Sequence, residues 1–216
     1  SKLVIALQSR DYLKRFVQIG SSEVYGSPAT PAKETDLLNP TSPYSISKAA
    51  FDLYLESMWR TAAFPMNIVR PSNCYTEGQQ LHRIIPKTIV HALNNDKIPL
   101  HGGGKAQKYY MHATDLSKAV MKIIEHAPLG EIYNVGPDCY ISIREVVTMV
   151  ATALKMPFDQ LCEVTGDRQH QDSRYWLNSN KIKQLGWHPH VSWNEGLTEM
   201  VAWGRKYLGD LKSLPT

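Results

Sequence analysis

Short apolar runs and longer periodic stretches take turns along this chain, which predicts strands and helices in alternation. Residues 2–15 carry Leu3, Ile5, Leu7 and Leu13 among polar positions and predict a helix. Phe16-Val17-Gln18-Ile19 is a short apolar run of strand character, and Met66–Arg70 predicts a second strand. Between them, residues 44–63 predict a helix in which Tyr44, Lys48, Phe51, Leu55 and Met58 recur at steps of four and three. Leu53 and Tyr54 lie off that stripe, so this helix is expected to bury two faces. Further on, residues 83–95 predict a helix and residues 98–104 a short strand and turn. Asp115 is the expected cap of a helix reaching about His126, and residues 131–136 predict a third strand. Ser142 opens an amphipathic helix with Ile143, Val146, Val147, Val150 and Leu154 on one face, and residues 194–208 close the chain as a helix.

Composition narrows the classes of function. The 216 residues are 43% hydrophobic and 20% charged, an ordinary globular balance that suffices for one domain or two small ones. A formal charge of +4 without a long basic run argues against a nucleic-acid partner. Cys74, Cys139 and Cys162 form no C-x-x-C, which suits a reducing cytoplasm better than a disulfide framework. No apolar stretch reaches the length of a membrane span, so no membrane partner is expected. His188-Pro-His190 lacks a third ligand at useful spacing, and no metal is expected. Gly102-Gly103-Gly104 lacks the spacing of a dinucleotide loop and is read as a turn.

The chemistry concentrates in Ser21-Ser22-Glu23-Val24-Tyr25-Gly26, at the end of the first strand, and in Tyr44-Ser-Ile-Ser-Lys48. On a helix the four-residue spacing places Tyr44 and Lys48 on one face, their Cβ atoms about 5–6 Å apart. An ammonium beside a phenol favours the phenolate, which is how a tyrosine serves as an acid and base near neutrality. Taken alone, Tyr-x-x-x-Lys is a weak signal. Here it follows a strand that ends in two hydroxyl residues and an acid.

Together these residues resemble the extended short-chain dehydrogenase/reductases, in the branch of nucleotide-sugar 4,6-dehydratases and epimerases. The likeness runs along nearly the whole chain: Asn73-Cys-Tyr75, Ile85-Pro86, Ile98-Pro-Leu-His-Gly102, Tyr133-Asn-Val-Gly136, Asp167-Arg168 and Leu185-Gly-Trp187 recur in order. It implies an α/β fold: the C-terminal portion of a Rossmann-type parallel sheet plus a small α+β substrate-binding subdomain. Residues 1–80 would be the partial Rossmann half with the Tyr/Lys helix. Residues 81–216 would be mostly substrate-binding, with some strands and helices returning to the sheet. The family opens with a G-x-x-G-x-x-G loop that this sequence does not contain, so the chain is expected to be the C-terminal two-thirds of such an enzyme.

The same resemblance implies residue roles. Tyr44 and Lys48 would hold the nicotinamide ribose and move the proton, with Ser21, Ser22 and Glu23 doing the sugar chemistry and Cys74 beside the cofactor. Asn73, Lys108, Asn134 and Arg168 would face the nucleotide-diphosphate sugar, and Pro99, Leu100 and His101 would line its base. The implied cofactor is NAD; NADP stays open, because the residue that selects between them belongs to the absent part. A homodimer through the helices at 2–15 and 44–63 is implied as well. The sequence departs from the pattern in places. Dehydratases acting on thymidine-linked glucose carry Thr-Asp-Glu where this chain has Ser21-Ser22-Glu23, the usual Gly-Pro is Thr76-Glu77, and the usual Arg-Asp is Lys108-Tyr109. The expected activity is an NAD-dependent 4,6-dehydratase. The rivals are a 4-epimerase or UDP-glucuronate decarboxylase of the same family, and a non-catalytic fragment that binds substrate or dimerises. Glu23 favours dehydration over simple epimerisation.

Overall fold

The computed structural model describes residues 2–166 and 175–211. Helix α1 is Lys2–Gln8, shorter than the expected 2–15. Ser9 to Asp11 turn away, with the Arg10 amide donating to the Leu7 carbonyl at 3.1 Å and the Leu13 amide to that of Arg10 at 3.0 Å. Leu7 and Leu13 still reach the same core, which is why the apolar spacing mimicked one long helix. Strand β1 is Phe16–Ile19, as expected, and a 3-10 turn follows at Ser22–Tyr25, capped by the Ser21 hydroxyl, which accepts from the Glu23 amide at 3.2 Å.

Helix α2, Pro43–Ala62, begins at a capping box: the Ser42 hydroxyl accepts from the Ser45 amide while the Ser45 hydroxyl accepts from that of Ser42, and proline occupies the first turn. Strand β2 is Met66–Pro71, buried along almost its whole length, and β3 is Asn73–Tyr75. Helix α3, Ile84–Leu93, leads to β4, Ile98–His101. Gly102, Gly103 and Gly104 then turn the chain with φ of 58°, 68° and 71°, a left-handed path that side chains resist. Strands β5, Gln107–Lys108, and β6, Tyr110–His112, precede α4, Ala113–His126.

The cap of α4 is His112, whose Nδ1 accepts from the Thr114 amide at 3.3 Å. Asp115, expected there, lies buried one turn in and accepts instead from the amides of His190 at 3.1 Å and Val191 at 3.0 Å. Strand β7 is Ile132–Val135, β8 is Ile141–Ser142 and α5 is Ile143–Leu154. Ser142 caps α5 with Glu145 as its reciprocal partner. Helix α6, Phe158–Leu161, runs into β9, Cys162–Thr165, and α7, Asn180–Lys183, and α8, Trp193–Leu211, follow.

Two packing regions result. In the first, β1, β2 and β7 form a parallel sheet in that order, with Phe16 opposite Met66 and Ile68 opposite Ile132. Both faces of β2 are covered, so Met66 to Arg70 are all buried, the polar Asn67 and Arg70 among them. In the second, α3, α5 and α8 pack around Ile85, Ile89, Val146, Val150, Leu197 and Met200. The other described strands pair two by two: β3 with β6, β4 with β9 and β5 with β8. Among the described residues, no helix is long and apolar enough to cross a membrane.

Candidate active site

Parallel strands place their carboxyl ends on one edge, and there this fold opens a cleft of about 750 Å³. One wall comes from the chain leaving β1 and β2. After β1 it presents Gly20, Ser21, Ser22 and Glu23; after β2 it presents Ser72, Asn73 and Cys74. The first turns of α2 add Tyr44 and Lys48 to the same wall. Lys48 Nζ donates to the Ile19 carbonyl at 3.0 Å, and so ties the helix to the end of the strand. It stands 5.9 Å from the centre of the Tyr44 ring, and Tyr44 is 51% exposed. Ser21 and Ser22 are buried in the wall.

Cys74 has its Sγ 3.6 Å from the Ser72 carbonyl, and burial pushes its thiol up to about 12. It is therefore a neutral lining group and not a nucleophile.

The opposite wall is the start of α3 together with β4, β5 and β6. It presents His82, Arg83 and Lys87, then Pro99, Leu100 and His101, then Lys108 and Tyr110. Basic groups predominate there, while Glu23 is the one acid along the cleft lining among the described residues. His101 Nδ1 and the Thr165 hydroxyl lie 3.0 Å apart, which fixes the imidazole against β9. Lys108 Nζ rests 4.8 Å from the centre of the Tyr175 ring.

Eleven of the residues singled out in the sequence thus surround one cleft: Ser21, Ser22, Glu23, Tyr44, Lys48, Asn73, Cys74, Pro99, Leu100, His101 and Lys108. Asn134 does not join them. It is 0% exposed on β7, donating through Nδ2 to the Ala32 carbonyl at 2.8 Å and accepting at Oδ1 from the Tyr25 hydroxyl at 2.9 Å. Both ends of its amide are consumed inside the core, which corrects the expectation that it faces the site. Arg168 lies outside the described residues. Sequence reasoning missed Gly20, Ser72, Gln79, Gln80 and Tyr110 as lining groups. Ser72 was within reach of the strand-end rule. Gln79 and Gln80 sit in an aperiodic loop, held where the Gln79 amide nitrogen donates to the Cys74 carbonyl at 2.7 Å, and nothing in their pattern marks them.

The model of the NAD dependent epimerase/dehydratase family matches residues 2–136, and the chain belongs to that family. It is 32% identical over 207 residues to a protein of Mus musculus named dTDP-D-glucose 4,6-dehydratase, covering 93% of this chain and 58% of that protein. It is 34% identical over 199 residues to the low-salt glycan biosynthesis protein Agl12 of Haloferax volcanii, covering 92% of this chain and 63% of that one. Among solved structures, a dTDP-glucose 4,6-dehydratase from Streptomyces venezuelae with NAD bound superposes with a TM-score of 0.90 at 30% identity, over 96% of this chain and 64% of that one. A UDP-N-acetylglucosamine 4-epimerase from Methanobrevibacter ruminantium shares the fold, with a TM-score of 0.87 at 23% identity. The chain therefore spans about three-fifths of the length of these dehydratase and glycan-biosynthesis relatives.

Proposed function

We propose that this cleft is the sugar-chemistry site of an NAD-dependent nucleotide-sugar 4,6-dehydratase. One observation supports the reading above the others: Glu23, with Ser21 and Ser22, lies on the same wall as the Tyr44–Lys48 pair, opposite a basic wall. An epimerase needs only the pair. The extra carboxylate is what an elimination needs.

The residues fit the nicotinamide ribose end of the cofactor. Tyr44 is half exposed to the cleft, and Lys48 spends one N–H on Ile19 and keeps two for ribose hydroxyls. Cys74 and Ser72 supply an uncharged surface beside them. Bound NAD supplies the hydride acceptor for C4 and the donor for C6. Tyr44 takes the proton of the C4 hydroxyl, Lys48 holds the phenolate in place, and Ser21 donates to the C4 oxygen. Oxidation at C4 acidifies the C5 hydrogen, which Glu23 removes. The C6 hydroxyl then leaves as water. Ser22 is a poor proton donor, so the proton that Glu23 takes from C5 is the one available to that leaving group, and C5 takes a proton from solvent, relayed by Glu23, as C6 is reduced.

Across the cleft, Arg83, Lys87 and Lys108 are placed to meet the charge of a diphosphate. A second copy of the chain is the partner proposed for α1 and α2, which leave Leu3 61%, Ile5 61%, Ile46 53% and Leu53 54% exposed.

The test is to incubate the protein that contains this chain, together with the glycine-rich loop the family uses for NAD, with NAD and dTDP-glucose and weigh the product. Loss of one water, with a ketone formed, is the expected result. A product of unchanged mass inverted at C4 would make the site an epimerase. Binding without turnover would make it a substrate-binding module.

A further inference from the structure

Behind the wall that carries Glu23 and Lys48, Arg70 is 2% exposed on β2 and joins three elements. Its Nε donates at 2.8 Å to Asp52 Oδ2, and Asp52, itself 0% exposed, lies one turn beyond Lys48 on α2. One Nη donates to the Tyr25 hydroxyl at 2.7 Å, and the guanidinium carbon stands 5.1 Å from the centre of the Tyr25 ring. Tyr25 closes the 3-10 turn that begins at Ser22 and passes its own proton on to Asn134 Oδ1 at 2.9 Å. None of Tyr25, Asp52, Arg70 and Asn134 lines the cleft.

The backbone in front of Ser21 presses on the same cluster. A Cβ at Gly20 would lie 3.2 Å from Asp52 Oδ1 and 3.2 Å from the Val69 carbonyl. Burial raises Tyr25 above its ordinary value and keeps the hydroxyl protonated, able to donate. Burial by itself would lower Arg70, but Tyr25 and Asp52 beside it hold it above its ordinary value and fully charged.

Stability alone does not account for charges at this place, because a buried ion pair can often be exchanged for apolar residues of like volume without loss. What apolar groups cannot supply is direction. A guanidinium is a flat fork of donors that fixes the angle between its two acceptors.

We propose that Arg70 is a positioning residue: by clamping Asp52 on one side and Tyr25 on the other, it sets the Ser21–Glu23 turn in register with Tyr44 and Lys48. It does so without touching substrate. The proposal rests on the reading of the cleft given above, and its test separates the two.

The variants are Tyr25→Phe, which removes one hydroxyl, the pair Asp52→Leu with Arg70→Met, which removes both charges together, and Arg70→Lys, which keeps charge but loses the fork. Turnover of dTDP-glucose with NAD is measured alongside hydrogen exchange of the ligand-free chain. For the double variant, which removes both charges together, the clamp predicts a Tm close to wild type, with kcat lower by about tenfold or more, KM within about twofold, and the kcat of Arg70→Lys between wild type and the double variant. Amides of Ser22 to Gly26 exchange faster, while those of α3 and α5 do not change. A double variant with wild-type Tm, kcat and exchange would overturn the proposal; should that variant fail to fold, the same result in Tyr25→Phe overturns it. If the wild-type protein that contains this chain and the glycine-rich loop turns over no nucleotide sugar, the reading of the cleft falls instead, and the exchange comparison still decides the clamp: local acceleration supports it and uniform exchange overturns it.

Discussion

Beneath Ser21, Glu23 and Tyr44 the cleft rests on a buried polar cluster of Tyr25, Asp52, Arg70 and Asn134. Beneath Arg83, Lys87 and Leu100 it rests on aliphatic side chains, with Ile85, Ile89, Val146, Val150 and Leu197 interlocked between three helices. The first support is directional, since each hydrogen bond fixes an angle as well as a distance. The second is not directional, because hydrophobic contact is indifferent to orientation. The contrast matches the work assigned to each wall. Proton transfer fails when an acid or base is misplaced by an ångström. Charge attraction to a phosphate survives such a shift, particularly from lysine and arginine stems that extend into solvent. The chemical wall and the binding wall should therefore respond to mutation in different parameters.

The largest effect is expected on the chemical wall. Tyr44→Phe should lower the rate of ketone formation at least about a hundredfold, the scale of one acid/base group. Affinity for the nucleotide sugar, followed by titration calorimetry, should hardly move. Near-normal turnover would remove Tyr44 from the chemistry. Glu23→Gln divides the same wall further. It should still permit oxidation at C4, so that reduced nicotinamide accumulates in a single turnover while loss of water slows by about a hundredfold. A variant that neither oxidises nor accumulates gives Glu23 a different task.

The binding wall should behave otherwise. Arg83→Ala with Lys87→Ala should raise KM about tenfold and leave kcat alone, in line with the loss of charge-assisted contacts at an open site. The loss should shrink as salt is added, because exposed charges are screened. A fall in kcat at constant KM would erase the distinction between the walls.

The smallest effect lies in the aliphatic support itself. Ser142→Ala removes the cap of α5 and should cost about 1 kcal/mol of unfolding free energy. Hydrogen bonds from the Ser142 side chain and backbone hold the Glu145 carboxyl below its ordinary 4.5. A carboxyl depressed in the folded state contributes stability above its unfolded value and loses it as the pH falls through the folded one. The difference between wild type and Ser142→Ala should accordingly be full above about pH 5 and shrink below pH 4.5, as read by denaturant titration. A difference that grew on acidification would mean Glu145 is not the partner.

Much of the chemical wall was readable from sequence because it obeys local rules. Phe16–Ile19 is a compact apolar run, Ser21-Ser22-Glu23 follow a strand end, and Tyr44 and Lys48 share a face through the helical period. The support behind it was not readable, because it depends on register between distant strands. Arg70 and Asn134 are opposite each other across β2 and β7, and neighbours in register project to the same face of a sheet. Nothing within Asn-Ile-Val-Arg-Pro distinguishes a buried arginine from one that ends a strand in solvent. Asn134 was misplaced for the same reason, the family pattern giving its neighbours but not its face. Helix α1 was overextended because Leu7 and Leu13 reach one core from two different segments. Local rules make Asp115 a cap, whereas its partners, the amides of His190 and Val191, are 75 and 76 residues away.

The central claim is that Glu23 and Tyr44 act in turn on adjacent carbons of one sugar. It is tested most directly by running the reaction with dTDP-glucose and NAD in D2O and reading the product by proton NMR. Removal of the C5 hydrogen by Glu23 in exchange with solvent predicts a methyl signal from C6 beside a C5 that has lost its proton signal to deuterium. A sugar that keeps its C6 hydroxymethyl group and its C5 proton, whether or not C4 has been inverted, would contradict the account.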